Sequence, residues 1–392
     1  MKLILSSENV VAFLKEHQLC PTDFQPVAPI TCQEGTNFNL VVKSADKRHF
    51  LVKQSRVREG GEIGGLPVEW IVQKLIYSFA NLATIRSIVS EIIFLDWSNG
   101  VLVSIFYDDY TPLDRYYQTP KDLNPKISFI FGSNIAKIHR ATYKQQQQKE
   151  FLARCLQLDD SDKRPNFIRR LDNISLDIFS RICPDGLDFY RLYQRFPSFQ
   201  QAIDELYQNI QPACLIHNDL TLDNLIIDTH IDLERDSAEI GSEHFKIIDW
   251  ERIDWGDPAV DLGMVISEYV GGIWLGSLIA ARHLDLNTML RLAAFPLDAI
   301  APSLRGLMRG YLSVFPEIIS ERPDFITRVV QFAGIGILNR LSYYVEHHYP
   351  FTNKSMCKLQ VAKSLLCSPQ QAIATIFGTT EAELIAENVC TI

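Results

Sequence analysis

The feature that most constrains this chain is a pair of polar clusters, each joined to an apolar run. The first is Leu215-Ile216-His217-Asn218-Asp219-Leu220-Thr221-Leu222-Asp223-Asn224, followed by the strand-like Leu225-Ile226-Ile227. The second begins as Phe245-Lys246-Ile247-Ile248 and ends in Asp249-Trp250-Glu251. The spacing from Asp219 to Asn224 lets a short loop turn both side chains toward one site, and the second segment places Asp249 at the end of an apolar strand. Taken alone, the first cluster also reads as a turn, with Asp and Asn as local caps and His217 as a satisfied core residue.

The residue types favour phosphoryl transfer over the turn. His-x-Asp-x-x-x-x-Asn is the pattern of the kinase catalytic loop. A loose transition state leaves the protein mainly to position groups and neutralise phosphate oxygens. Mg²⁺ takes hard oxygen ligands and keeps several waters, so Asp249 and Asn224 suffice beside the phosphates. Asp219 then stays free of metal to orient an acceptor hydroxyl and take its proton, while His217 braces the loop. Such a site also needs a cation on the nucleotide phosphates and an acid to hold that cation. Lys53 ends a strand and Glu69 sits in the helix after it. Lys43, Glu59 and Glu62 are rivals, but Lys53 lies on the strand immediately before that helix and Glu69 within its apolar periodicity.

The whole chain accommodates this. Its 392 residues suit two or three domains at roughly 150 residues each. Hydrophobic residues at 47% exclude a chiefly disordered chain. With 47 acidic against 38 basic residues, the net charge of −9 gives no general footprint for nucleic acid or an anionic membrane. Eight scattered cysteines, never as Cys-x-x-Cys, predict reduced thiols and neither a disulfide framework nor a zinc site. The start has too short an apolar run for a secretory signal. The apolar stretch 264–281 contains Glu268 and paired glycines, so it reads as a buried helix and not a span. A cytoplasmic location is expected.

Periodicity predicts a helix over 8–17, a hairpin of strands 39–43 and 49–53, and a helix over 68–79. Strands follow at 87–95 and 100–107. Asp108-Asp109-Tyr110-Thr111-Pro112 then breaks regular structure. The domain boundary is set there: residues 1–108 form a small α+β lobe and 109–392 a large, mostly helical one. A helix is expected near 127–139, a solvated end at the glutamine run 145–148, and an exposed acidic insertion over 228–244, close enough to the site to touch an acceptor or partner. Helices fill the chain beyond Asp261.

Four segments together resemble the aminoglycoside phosphotransferase and choline kinase-like family. They are Gln33-Glu34-Gly35-Thr36-Asn37-Phe38-Asn39-Leu40, Asn134-Ile135-Ala136-Lys137-Ile138-His139, the His217 to Asn224 loop with Ile248-Asp249-Trp250-Glu251, and Gly256-Asp257-Pro258-Ala259-Val260-Asp261-Leu262-Gly263. The resemblance implies an α+β, two-lobed protein-kinase-like fold, with a small antiparallel-sheet N-lobe and a large, mainly helical C-lobe. It implies ATP and Mg²⁺ in the cleft between them. By it Asp219 is the catalytic aspartate, Asn224 and Asp249 the magnesium ligands, Lys53 the phosphate lysine and Glu69 its partner. Gly35 and Asn37 fall in the phosphate-covering turn. Phe106 and Tyr107 fall in a hinge, 106–109, whose backbone would read adenine, and Asp257 and Asp261 would brace the catalytic loop. Asn218 departs from the family, which commonly has glycine there. The insertion is longer than usual, and no Ala-Pro-Glu follows Asp249, which disfavours an ordinary protein kinase.

Three functions compete: a kinase of a small-molecule hydroxyl, a kinase of Ser or Thr in a ribosomal peptide ahead of dehydration, and a catalytically silent kinase-like binding module. The intact set Lys53, Glu69, Asp219, Asn224 and Asp249 argues against the third. Acceptor choice lies in the helices after Asp261, which carry no motif, and none reads out an oligomeric state. The expected partner is thus a small-molecule hydroxyl acceptor or a peptide substrate, with no nucleic acid and no membrane. The glycine cluster 60–65 reads as a connector, the basic run 163–170 as a solvated helix start, and the ring-rich 343–349 as packing between helices, with lining of the acceptor cleft as its alternative.

Overall fold

Alternating burial along the first strands builds a sheet with two different faces. The computed structural model describes residues 3–34, 37–55, 66–156, 168, 171, 176–235, 240–279, 285–347 and 349–389. Strands β1 (Thr31–Glu34), β2 (Asn37–Val42), β3 (His49–Ser55), β4 (Ile92–Asp96) and β5 (Val101–Phe106) form one antiparallel sheet in the order β1-β2-β3-β5-β4. Leu40, Val42, Phe50, Val52, Val101 and Val103 share a cluster with Val10, Phe13 and Leu14 of helix α1 (Val10–Glu16). Side chains alternate across a strand, so Lys53 leaves Val52's face and points the other way. There it meets helix α2 (Leu66–Ser78), which buries Leu66, Glu69, Val72, Leu75 and Ile76. Glu69 is thus an acid inside the helix's apolar stripe, a costly place unless a cation meets it.

The chain leaves this sheet at Phe106 and enters the larger part through β6 (Tyr110–Pro112). That strand pairs with β8 (Leu225–Asp228), which pairs with β9 (Phe245–Ile247); β7 (Cys214–Ile216) pairs with β10 (Asp254–Gly256). Helices make up most of the remainder. The helix Pro125–Thr142 lies against Leu297–Val314 backbone to backbone. A Cβ on Gly310 would stand 1.8 Å from the Phe129 carbonyl oxygen, and one on Gly132 2.0 Å from that of Leu307, so only glycine permits the contact.

Several elements differ from the sequence reading. The strand expected from 87 begins at Ile92. Ile88 and Val89 are instead buried in the core of the helical part, where Val89 bridges to Ile247. The glutamine run is not all solvated: it opens the helix Gln146–Leu156, and Gln148 is buried and donates to Asn81 Oδ1 at 3.2 Å. The apolar stretch after Asp261 is a helix, Ala259–Ser267, continued by π turns over Glu268–Trp274. Among the described residues no helix is long and apolar enough to cross a membrane. The glycine cluster 60–65 and, apart from Ile168, the basic run 163–170 lie outside the described residues.

Candidate active site

The site assembles where β7 ends, β8 begins and β9 ends. The loop leaving β7 is held from below by a buried acid. Asp261 Oδ2 accepts from the His217 amide at 2.8 Å and Oδ1 from the Asn218 amide at 2.9 Å. His139 Nε2 lies 3.1 Å from the same Oδ2, and its Nδ1 lies 3.0 Å from the Tyr311 hydroxyl. Burial opposes the Asp261 charge, yet His139, His217 and these bonds hold its carboxyl below the usual range. Asn218 has φ of 61°, the left-handed region. Its departure from glycine is therefore a conservative one, since asparagine tolerates that region better than other side chains.

His217 Nε2 donates to the Ile248 carbonyl at 2.9 Å, tying the loop to the strand that delivers Asp249. Its ring meets the Trp250 ring edge to face at 4.7 Å between centroids. Asp249 follows with φ of 64°. Its Oδ1 receives the Lys53 ammonium at 2.8 Å, and the same ammonium reaches Glu69 Oε1 at 2.8 Å. Burial alone would strip the Lys53 charge, but the two carboxylates outweigh it and raise its pKa. Burial raises Glu69 despite Lys53, whereas Asp249 is drawn below the usual range because Lys53 overcomes its burial.

Asn224 is 7% exposed and donates its Nδ2 to the Asp219 carbonyl at 2.9 Å. That bond turns the amide so that Oδ1 remains for a cation. The Asn224 carbonyl accepts from the Ile248 amide at 3.0 Å, so Asn224 and Asp249 come from adjoining strands. The donor set, one carboxylate and one amide oxygen, fits Mg²⁺ with phosphate and water completing the shell. Among the described residues no group of three or more His, Cys, Asp or Glu is placed to hold a metal by itself. Burial pushes the Asp219 carboxyl up, opposed by Arg252 and His217. Arg252 Nε stands 3.4 Å from Asp219 Oδ2. This partner follows no motif and was not legible in the sequence.

The remaining predicted residues lie farther out. Asn37 starts β2, is buried, and donates to Glu251 Oε2 at 3.4 Å, so the first hairpin touches the segment after Asp249. Gly35 lies outside the described residues. Phe106 ends β5 and Tyr107 follows it, where the chain passes between the two sheets; the Tyr107 hydroxyl accepts from the Glu91 amide at 3.2 Å. Asp257 does not brace the His217 loop directly: Arg328 Nη2 reaches its Oδ2 at 2.9 Å and Arg322 Nη1 at 3.4 Å. The 228–244 insertion opens from the ends of β8 and β9 remote from Asn224 and Asp249. It is held beside the 106–110 crossing, with Thr229 donating to the Asp109 carbonyl and Tyr110 to that of Glu243. It is also not wholly exposed, because Ile240 is buried.

Residues 109–295, just under half of the chain, match the phosphotransferase enzyme family, APH. The architecture of the chain carrying them is the two-lobed kinase-like fold. The fold is shared with an ethanolamine kinase of Plasmodium vivax at a TM-score of 0.56, with 16% identity over 94% of this chain and 92% of that one. A choline/ethanolamine kinase family protein of Mesorhizobium loti aligns at 0.49, with 16% identity over 94% and 99% of the two chains. A choline kinase of Cryptosporidium parvum aligns at 0.48, with 13% identity over 95% and 99%. No curated protein matches the chain in sequence.

Proposed function

We propose that the protein transfers the γ-phosphoryl group of ATP, with Mg²⁺, to a hydroxyl of a small-molecule acceptor. The observation that carries this reading is the convergence of Lys53, Glu69 and Asp249 on one ammonium, beside a loop that also presents Asp219 and Asn224. Asn224 and Asp249 are the residues to hold Mg²⁺, which when bound neutralises charge on the phosphate oxygens. Lys53, kept charged by its two acids, binds the nucleotide phosphates. Asp219 orients the acceptor hydroxyl and takes its proton. The acceptor oxygen bonds to the γ-phosphorus as the bond to the β–γ bridging oxygen breaks, and ADP leaves. A carboxylate with its pKa raised by burial suits this better than an ordinary one, because it is the stronger base.

Purified protein, γ-labelled ATP, Mg²⁺ and a soluble extract of the source organism test the proposal, with Asp219→Asn as the blank. Label in a small molecule is the expected result. Label in a peptide would move the acceptor to a Ser or Thr hydroxyl, and equal label with Asp219→Asn would overturn the assignment.

A further inference from the structure

The helices after Asp261 border an open cavity of about 420 Å³ whose lining includes Gly272, Arg340, Tyr344, Lys354 and Lys358. It is tied to the His217 to Asn224 loop through one helical run, 259–274: Asp261 near its start accepts the loop amides, and Glu268 farther along it takes Arg340 of the cavity lining. The rings expected to pack between helices do not do so here. Tyr344 and Tyr349 are 37% and 55% exposed and both line this cavity.

The charge of the cavity is unbalanced. Glu268 is the acid at its edge, and Arg340 Nη1 already engages both of its oxygens, at 2.7 and 2.6 Å. Lys354 adds a second cation and donates to the Gly276 carbonyl. Lys358 is a third. It is 9% exposed, its ammonium stands 5.9 Å from the centroid of the Tyr344 ring, and it has no hydrogen-bond acceptor among the described residues. An ammonium largely withdrawn from water and without a protein acceptor is costly, and two neighbouring cations add to the cost. Burial first, then Lys354 and Arg340, hold Lys358 down to about 8. Three cations line the cavity against one engaged carboxylate at its edge, and Asp223 acts on that pair from the loop, so the lining leaves a place for an anion, whereas a cationic alcohol would meet repulsion.

We propose that this cavity is the acceptor subsite and that it takes an anionic group, a carboxylate or a phosphate, of the hydroxy compound to be phosphorylated. Lys358 and Lys354 supply the charged hydrogen bonds, and Arg340, fixed by Glu268, sets the field. The inference rests on the phosphotransfer reading above and narrows its acceptor.

Titration of the full-length protein with inorganic phosphate, acetate and tetramethylammonium, at one ionic strength, tests it without turnover. Phosphate or acetate should bind the wild type and bind Lys358→Met about tenfold more weakly, the loss expected for one charged hydrogen bond. Binding of phosphate would point to a phosphorylated alcohol and binding of acetate to a hydroxy acid. Lys354→Met provides the same comparison should the first variant fold poorly. Equal anion binding by wild type and variants, no anion binding, or preferred binding of tetramethylammonium would overturn the inference. Transfer is read separately. Efficient phosphorylation of a cationic alcohol, undiminished in Lys358→Met, would overturn the anionic subsite alone, whereas full transfer by Asp219→Asn would overturn the reading beneath it.

Discussion

Lys53 Nζ lies 2.8 Å from Asp249 Oδ1, although 196 residues separate them in the chain. The pair joins the small sheet to the loop region and is completed by Glu69, itself 3% exposed. Lys53→Met should therefore do two things. Transfer should fall at least about a hundredfold, as for loss of a fixed cation on the reacting phosphates. Stability to urea should fall by about 3 kcal/mol, because the buried Glu69 loses its partner. Activity and unfolding curves of one preparation check both.

The acid limb of the pH–rate profile should stand above that of an ordinary aspartate. Burial raises Asp219, and only its carboxylate form accepts the hydroxyl proton, so transfer is lost as pH falls through the raised value. Arg252 opposes that rise. Arg252→Ala should consequently move the limb to still higher pH, and an unmoved limb in kcat/KM would contradict the assigned base.

Position 218 should discriminate by backbone alone. Asn218→Gly should match the wild type, whereas Asn218→Val should cost about 1–2 kcal/mol at a φ of 61°. Chemical denaturation of the two variants measures the difference.

Lys358 should carry a stability slope on the alkaline side, of the same sign as that of an acid whose pKa folding lowers. Its folded pKa, held down to about 8, lies below the ordinary lysine value. The unfolded chain thus binds more protons between the two values, and stability rises with pH across that window. Lys358→Met should lack this slope and be more stable than wild type at pH 7. Thermal unfolding from pH 7 to pH 10 would show it, and a less stable variant at pH 7 would count against the buried charge.

Much of the site was legible because its signals are local. The His217 to Asn224 spacing and the acid ending an apolar strand sit within short segments, Lys53 shows as the lysine ending the strand before the helix, and Glu69 as an acid within that helix's apolar periodicity. Arg252 pairs with Asp219 through the fold of the loop, a relationship no spacing encodes. The insertion follows the same logic: its place beside Asp109 depends on which ends of β8 and β9 it joins. The cavity charges come from separate helices, so Glu268 and Arg340 meet only in three dimensions. Lys354 and Lys358 did carry a signal, since residues four apart share a helix face. Gln148 was misread because a polar run suggests solvent, while its partner Asn81 is remote in sequence.

The central claim is tested most directly by the Mg²⁺-dependent affinity for ATP of wild type, Asp219→Asn and Asp249→Ala, measured by calorimetry with transfer assayed on the same samples. The account predicts that Asp219→Asn binds ATP like the wild type yet transfers nothing, and that Asp249→Ala loses the magnesium-dependent binding. Undiminished transfer by either variant would contradict it.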